Sequence, residues 1–139
     1  MEPNLKFYEL KIPVIPFPKE RPRISRNGTY TPPKTVRYER EISNYCAPLC
    51  SEPLEGPLRI QIDFHMHRPE KQKHSYPSRS DWDNLSKAVC DALNKIAWND
   101  DRQICIAVVR KFYAHQEPHI WVKIEQLDWT LKKDVALVE

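Results

Sequence analysis

The chain has 139 residues, of which 40% are hydrophobic and 29% are charged, so it has the length of one domain with a single modest core. This composition argues against a mostly disordered protein, and no apolar run approaches the ~20 residues that a membrane span needs. The formal net charge of +3 is too small to identify a nucleic-acid-binding protein by itself.

The first half of the chain predicts a strand, a basic arm and a helix. Residues 5–12 form a short strand, which a cluster of three prolines ends at positions 13, 16 and 18. Residues 15–32 are the arm, and the turn pair Asn27-Gly28 indicates either a hairpin or an extended segment. A helix begins at Pro33 and ends near Cys50. Its expected apolar face consists of Val36, Glu39, Ile42, Tyr45, Cys46 and Leu49.

The second half predicts three strands and a helix. Alternating apolar and polar residues indicate a strand over 58–66, followed by a polar loop over 68–80 that we expect to be mobile. A helix over 83–96 precedes strands at 104–112 and 120–124, and the tail over 129–139 could either pack or fray. The apolar stripe of the helix consists of Leu85, Ala88, Val89, Ala92, Leu93 and Ile96.

This order of elements predicts a single domain over residues 1–139. We expect an α/β or α+β fold, with a small mixed sheet of about four strands and two main helices packed on it. The amino terminus lacks the basic start and apolar stretch of a signal peptide, so we expect a cytoplasmic protein. The four cysteines show no CxxC spacing, which favours reduced thiols with packing roles.

Charge is distributed unevenly along the sequence. Seven basic residues and only two acidic ones lie between positions 19 and 40, whereas acidic residues gather between positions 81 and 101. A positive surface beside a negative pocket suits a nuclease that cuts phosphodiesters. The basic residues are Lys19, Arg21, Arg23, Arg26, Lys34, Arg37 and Arg40.

The acidic residues form the most informative motif, DWDNLSK, which contains Asp81 and Asp83. Residues two apart in extended backbone project the same way, so these carboxylates can converge just before the helix. With Asp101 as a third carboxylate, they would offer oxygen ligands to a hard cation, Mg²⁺ or Mn²⁺. Lys87 follows one helical turn after Asp83 and is the expected non-metal catalytic residue.

This cluster requires the chain to double back, because the helix spans about 20 Å and Asp101 follows its far end. We expect the strand over 104–112 to bring Asp101 near the helix start if it runs antiparallel to the helix. Structural interpretations compete with this hypothesis. Asp83 could cap the helix, residues 99–101 could be an ordinary polar turn, and Asp91 is interpreted as a surface ion-pair residue.

Other polar residues leave alternatives open. His65, His67 and His74 with Asp63 suggest a metal site, but the wet face of an alternating strand explains them better. Phosphate binding by the arm and a solvated loop are about equally favoured. Trp82, Trp98 and Trp121 are interpreted as packing residues. The expected DNA contacts are Arg21, Arg23, Arg26, Lys34, Arg79 and Asn84.

The segment DWDNLSKAVCDALNKIAWNDDRQI resembles the signature of the RusA family of Holliday junction resolvases, roughly DxDNLxKaxxDAL followed by DDxQ. The flanking segments IPFPKERPRISRNGTYTP and LRIQIDFHM are also similar to that family, so the resemblance covers about four fifths of the chain. The loop over 68–80 and the tail after Asp128 depart from the family pattern.

The resemblance implies a homodimeric, Mg²⁺-dependent endonuclease that resolves four-way DNA junctions by paired symmetric nicks. It implies metal binding by Asp81, Asp83 and Asp101, with Asp100 as a helper, and a catalytic role for Lys87. We also expect no membrane partner and no small-molecule cofactor. The alternative function is a protein that binds DNA junctions without cutting them.

Overall fold

A computed structural model describes residues 4–129, so most of the predicted tail, residues 130–139, lies outside the described part of the chain. The strands are β1 (Phe7–Ile12), β2 (Arg23–Ser25), β3 (Gly28–Tyr30), β4 (Leu58–Met66), β5 (Ile104–Tyr113) and β6 (His119–Gln126), and the helices are α1 (Pro33–Cys46) and α2 (Trp82–Leu93). Short 3₁₀ turns at Ala47–Leu49 and Asp101–Gln103 follow α1 and precede β5. The predicted order of elements is therefore confirmed.

Four strands form one mixed sheet in the order β1-β6-β4-β5. Strand β6 is antiparallel to both of its neighbours, whereas β4 and β5 are parallel and are joined through α2. Strands β2 and β3 form a separate hairpin, which settles the two alternatives for the arm. Gly28 lies in the hairpin turn with φ of +109°, a conformation that glycine adopts without steric cost.

The core lies between one face of the sheet and the two helices. On β4 the buried residues Leu58, Ile60, Ile62 and Phe64 alternate with polar residues, as the sequence pattern predicts, and these are half-buried except for Asp63, which is buried. The stripe of α2 from Leu85 to Leu93 is buried in the same hydrophobic cluster. The fold is therefore α+β, with a mixed four-stranded sheet and two helices.

Two helix ends and one helix face differ from the predictions, and the first of these ends is that of α1, which stops at Cys46 rather than near Cys50. Helix α1 buries Thr35, Tyr38, Ile42 and Cys46, whereas Val36, Tyr45 and Leu49 are exposed. The predicted face was correct at Ile42 and Cys46 and wrong at the exposed positions, because the buried stripe also includes the polar or amphipathic side chains Thr35 and Tyr38, which a search for apolar periodicity passes over. Helix α2 ends at Leu93, because Asn94 is extended and Lys95 has φ of +71°.

Within residues 4–129 no helix is long and apolar enough to cross a membrane. All four cysteines are free, as predicted. Cys46 and Cys50 are buried, Cys90 is half-buried and Cys105 is exposed on β5.

Candidate active site

The first turn of α2 presents two exposed carboxylates. Asp81 is the N-cap residue, but its side chain makes no capping hydrogen bond, and it has no other side-chain partner among the described residues. Asp83 Oδ1 accepts a hydrogen bond of 2.9 Å from the backbone N–H of Asn84 and makes no ion pair with a described residue. Neither aspartate is therefore committed to capping the helix, and both carboxylates remain available to a ligand.

Lys87 lies one turn further along the same helix. Its side chain is 64% exposed, and its Nζ lies 3.8 Å from Asp91 Oδ2. Asp91 also accepts an ion pair from Lys19 at 3.2 Å, so its interpretation as an ion-pair residue fits these contacts. A long, exposed lysine with one loose partner can reach a phosphate that lies against the helix start.

Lys19 anchors the basic arm to both helices. Its Nζ contacts Glu39 on α1 at 2.7 Å as well as Asp91 on α2, and its backbone N–H donates to the carbonyl of Asn84. Burial lowers the pKa of Lys19, but hydrogen bonds to Glu39 and Asp91 outweigh that effect, so the pKa lies above its usual value. The root of the arm is thereby held beside the acidic start of α2. Sequence reasoning missed this anchor, because nothing local distinguishes Lys19 from the other basic residues of the arm.

The second acidic segment is an ordered turn. Asp100 accepts a hydrogen bond from the backbone N–H of Arg102, which lowers the pKa of its carboxyl, and Gln103 completes a capping box. Asp101 Oδ1 accepts a hydrogen bond of 2.7 Å from the indole Nε1 of buried Trp98. Asp101 is itself exposed, so this contact fixes the carboxylate without removing it from solvent.

The two acidic segments lie at opposite ends of α2 within one chain. Lys111 near the end of β5 donates to the carbonyl of Ser80, which immediately precedes α2, whereas Asp101 immediately precedes the start of β5. Strand β5 therefore runs antiparallel to α2. This orientation places Asp101 beside the far end of the helix, and the expectation that it would bring Asp101 to the helix start was wrong.

The pKa of Cys90 agrees with the placement of Asp101 near the far part of α2. Burial raises the pKa of Cys90, eight residues after Trp82 on α2, to about 12, and the nearby Asp101 carboxylate adds to the shift. Helix α2 has 12 residues and so extends about 18 Å. Within residues 4–129 no three histidine, cysteine, aspartate or glutamate side chains are grouped closely enough to hold a metal ion.

Basic residues surround the start of α2. All residues of the arm from 21 to 30 are exposed, and Arg23 pairs only loosely with Glu20, at 3.5 Å. Lys34 lies over the ring of Phe17, with 4.5 Å from Nζ to the ring centroid. Arg79 and Asn84 are exposed on either side of Asp81 and Asp83. The predicted DNA contacts are thus accessible, and within residues 4–129 the strands of the hairpin pair only with each other.

The loop over 68–80 forms two basic cavities at the end of β4 and β5. One cavity of about 540 Å³ lies against Arg68, Arg110 and His115, and another of about 460 Å³ lies against Lys71, Lys73 and Arg79. The loop continues directly into Ser80 and Asp81. A polyanion lying on this side of the protein would therefore meet positive charge on its way to the helix start.

The histidines near Asp63 do not form a metal site, which was one of the two interpretations of these residues. Asp63 is buried and accepts two hydrogen bonds from Arg110, at 2.8 and 2.6 Å. His65 stacks on His119, with ring centroids 4.1 Å apart, and burial followed by that neighbouring ring lowers the pKa of His65. The Asp63 carboxylate is thus already paired with the Arg110 guanidinium, and the His65 ring stacks on a residue of the neighbouring strand.

The tryptophans divide between two environments. Trp98 is fully buried and Trp121 is half-buried, with its Nε1 donating to Glu9. Trp82 is 60% exposed between the two aspartates at the start of α2. The prediction that this side chain packs in the core was therefore wrong.

An α+β domain with unengaged carboxylates at a helix start, beside an exposed basic arm, belongs to the class of candidate DNA-processing enzymes. The protein-family model described as Endodeoxyribonuclease RusA matches residues 13–125. The match covers far more than half of the chain, which therefore belongs to the RusA endodeoxyribonuclease family. Membership in this family implies the resolution of Holliday junctions by endonuclease activity. A comparison with curated proteins gives no match.

Proposed function

We propose that this protein resolves four-way DNA junctions as a homodimer that requires a divalent cation, Mg²⁺ or Mn²⁺. The observation that carries the proposal is the pair of exposed carboxylates, Asp81 and Asp83, which have no ion-pair partner within residues 4–129 and lie beside the anchored root of a basic arm. Two carboxylates that lie two residues apart at one helix start favour a bound cation, because a cation would offset the repulsion between like charges. An oxygen-only donor set fits a hard ion such as Mg²⁺.

The third carboxylate, that of Asp101, comes from the partner subunit in this proposal. In one chain Asp101 lies toward the opposite end of α2 from Asp81 and Asp83, near Cys90. A two-fold axis that sets the two copies of α2 antiparallel brings each helix start to the other subunit's Asp101. Each dimer then has two equivalent sites, as the two-fold symmetry of a four-way junction requires.

The chain's own residues have distinct tasks at this site. A bound divalent ion would lower the pKa of a water molecule and neutralise negative charge near the scissile phosphate. Asp81, Asp83 and Asp101 would hold the ion, with Asp100 as a helper whose carboxylate also orders the turn. Lys87 would contact the phosphate or orient the attacking water through its mobile ammonium group.

Positioning of DNA would depend on the basic residues around the helix start. Arg21, Arg23 and Arg26 on the exposed arm, with Lys34, Arg79 and Asn84, would contact phosphates and fix the register of the junction without reading its sequence. Trp82 offers an exposed aromatic face at the site, on which an unpaired base at the branch point could stack.

The first test is nicking of a labelled four-way junction with Mg²⁺, and with Mg²⁺ plus chelator. Asp81→Asn, Asp83→Asn, Asp101→Asn and Lys87→Met should each lower the rate by about 10²-fold or more and keep junction binding. The matched control is Glu41→Gln, which removes an exposed carboxylate from α1 and should leave the rate unchanged. Binding without any cation-dependent product would favour the alternative, a protein that binds junctions without cutting them.

Mixed dimers test the shared site directly. When Asp83→Asn and Asp101→Asn subunits are mixed, a shared site leaves one intact site in every mixed dimer, since one subunit supplies Asp83 and the other Asp101. Random mixing should restore about a quarter of the wild-type sites, as single nicks without paired cleavage. A site contained within one chain predicts no recovery at all, so an inactive mixture would contradict the shared site.

A further inference from the structure

The face of the sheet away from the helices carries a row of three aromatic rings. Phe112 on β5, His65 on β4 and His119 on β6 are paired residues of adjacent strands, so their side chains lie on the same face. The ring centroid of His65 is 5.5 Å from that of Phe112 and 4.1 Å from that of His119. These rings form a continuous aromatic row across three strands.

Packing in the core does not account for the aromatic row. The apolar residues of the same strands that do fill the core, such as Phe64 and Ile120, lie on the opposite face. Phe112 is 39% exposed, and the two histidines are half-buried. Accessible aromatic rings on the face of a four-stranded sheet can stack the unpaired bases of a nucleic acid.

The cavity of about 540 Å³ lies directly beside the aromatic row. His65 and Phe112 line it from the sheet, and Tyr76, which is 57% exposed, lines it from the loop over 68–80. Pro77 of the loop is buried, so the loop is held against the sheet at this point. The volume lies in the range that bound small molecules occupy. The cavity therefore has aromatic walls and room for a nucleotide.

The charges of the cavity are complementary to a phosphodiester. Four basic residues line it against one acidic residue, Asp63, whose side chain is 9% exposed and is paired with Arg110 at 2.6 Å. The Arg110 guanidinium also lies 5.1 Å from the ring centroid of Phe112, so a cation and a stacking surface are side by side, as the phosphate and base of a nucleotide require. The four basic residues are Arg68, Arg110, Lys111 and His115.

This cavity continues toward the candidate active site. Pro77 and Tyr113 line both this cavity and the second one, of about 460 Å³, which Ser80 also lines. Lys111 donates to the carbonyl of Ser80, and Ser80 immediately precedes Asp81. A single strand that leaves the start of α2 along the loop therefore reaches the aromatic row.

We propose that the aromatic row and the adjoining cavity form a binding site for single-stranded DNA, separate from the candidate active site. Bases stack on Phe112, His65 and Tyr76, while Arg68 and Arg110 contact the phosphates. An unpaired strand fits better than a duplex, because the bases of a duplex stack on one another and hide their faces. The binding itself does not depend on the proposed function.

One consequence rests on the proposed function, because it concerns the choice among branched substrates. A flap with a single-stranded arm should bind more tightly than the same DNA with that arm paired. Phe112→Ala should remove the difference, and both affinities are measured by competition against a labelled four-way junction.

The site is tested by the affinity of the full chain for a labelled oligothymidine of about 12 nucleotides, measured by fluorescence anisotropy without divalent cation. An abasic strand of the same length carries the same phosphates but no bases. The oligothymidine should bind about tenfold more tightly or better, because each stacked base adds to affinity. Equal affinities would overturn the inference, since phosphate contacts alone, including those of the basic arm, would then explain binding. Tighter binding of oligouridine than of oligothymidine would assign the site to RNA and also overturn it.

Variants locate the preference for bases over the abasic strand. Phe112→Ala should reduce it on the order of tenfold, and so should Tyr76→Ala, which leaves the sheet intact. The matched control is Phe7→Ala, which removes an exposed ring on the same sheet face from β1 and should keep the preference. Circular dichroism should show all three variants folded. A preference that survives both test variants, or that falls equally in the control, would contradict the site.

Photo-cross-linking identifies the contacts of the bases. An oligonucleotide that carries iodouracil, irradiated in complex with the full chain, should attach to Phe112, His65 or Tyr76, as mapped by mass spectrometry. Attachment only at Trp82, or only within residues 21–30, would overturn the inference.

The single-strand site and the proposed function fail separately. Base-dependent binding of the oligothymidine by a protein that nicks no junction keeps the single-strand site and removes the proposed activity. Cation-dependent nicking by a protein that binds the oligothymidine and the abasic strand equally keeps the activity and removes the single-strand site.

Discussion

Lys19 shows how one side chain determines the environment of a candidate site. Its ammonium lies between Glu39 and Asp91, and each of the three side chains is less than one third exposed. The contacts hold the root of the basic arm beside α2 and neutralise a carboxylate, that of Asp91, which would otherwise add to the negative charge around Lys87. Removing the ammonium would leave both acids without this cation.

Lys19→Met should therefore lower the free energy of unfolding by about 1–2 kcal/mol, measured by urea denaturation. The matched control is Lys6→Met, because Lys6 pairs with Glu52 in solvent and its loss should have a smaller effect. Since the pKa of Lys19 is raised in the folded protein, its contribution is full below the ordinary lysine pKa of about 10.4 and declines as pH rises through the folded value. Equal losses in the two variants would contradict this role.

Gln103, like Lys19, joins separate segments of the chain, here at the turn that contains Asp101. Its Oε1 accepts hydrogen bonds from the backbone N–H groups of Asn99 and Asp100, and its Nε2 donates to the carbonyls of Leu54 and Gly56. The side chain thus joins the 3₁₀ turn before β5 to the segment before β4. In the DDxQ part of the sequence motif, Gln103 therefore has a structural role, whereas the role proposed for Asp101 is catalytic.

At the scale of elements, the 3₁₀ turn should depend on both ends of the Gln103 amide. Gln103→Glu keeps the acceptor oxygens but removes the two donor bonds and faces a carboxylate toward two carbonyls. We expect a loss of about 1–3 kcal/mol in unfolding free energy, with slower nicking because Asp101 is less well positioned. Gln116→Glu, in the exposed turn between β5 and β6, is the matched control and should change neither quantity.

The hairpin β2–β3 is an element without a stabilising role in the core. Every residue of both strands is exposed. The role of the hairpin is therefore expected to lie in contacts outside the subunit. Replacing Arg21, Arg23 and Arg26 together with alanine should leave the melting temperature unchanged. Junction affinity should fall, and the slope of log K against log salt should shrink by about 0.9 for each phosphate that the variant no longer neutralises.

The comparison for the hairpin is a variant with Lys11 and Lys123 replaced, both on the sheet face away from the helices. Its salt dependence should match that of the wild type. If the arginine variant keeps the wild-type slope of log K against log salt, the arm does not contact phosphates. The basic cavities of the loop over 68–80 would then be the next candidate for the phosphate-binding surface.

At the scale of the whole molecule, the proposed division of the site between two subunits would couple cation binding to assembly. If Mg²⁺ binds only the dimer, adding it should shift the monomer–dimer equilibrium toward the dimer and raise the melting temperature. The stabilisation should reach about 2.7 kcal/mol at a hundredfold excess over Kd, and a chelator should reverse it. Asp101→Asn should remove the effect and still accept the Trp98 hydrogen bond. Sodium at equal ionic strength is the control, and an equal response to sodium would contradict the coupling.

Local patterns in the sequence determined the elements and most of the core. The alternation over 58–66 and the apolar stripe of α2 each depend on which side of a single element is buried. The period of the apolar residues therefore identifies the element as a strand or a helix and also gives its buried face. The DWDNLSK segment identified the carboxylates at the helix start in the same way. Periodicity gave only part of the buried face of α1, Ile42 and Cys46, since Thr35 and Tyr38 are buried without being apolar markers.

Distances between elements were decided only by the tertiary structure. No sequence spacing states which end of α2 lies beside Asp101, that Lys19 joins both helices, or that β5 is an unburied edge strand. These facts depend on how the chain returns after each element and on what packs against it, which are properties of the whole fold. For this reason the sequence could only propose the residues of the site, whereas the fold showed that Asp101 lies toward the other end of α2 from Asp81 and Asp83 within one chain.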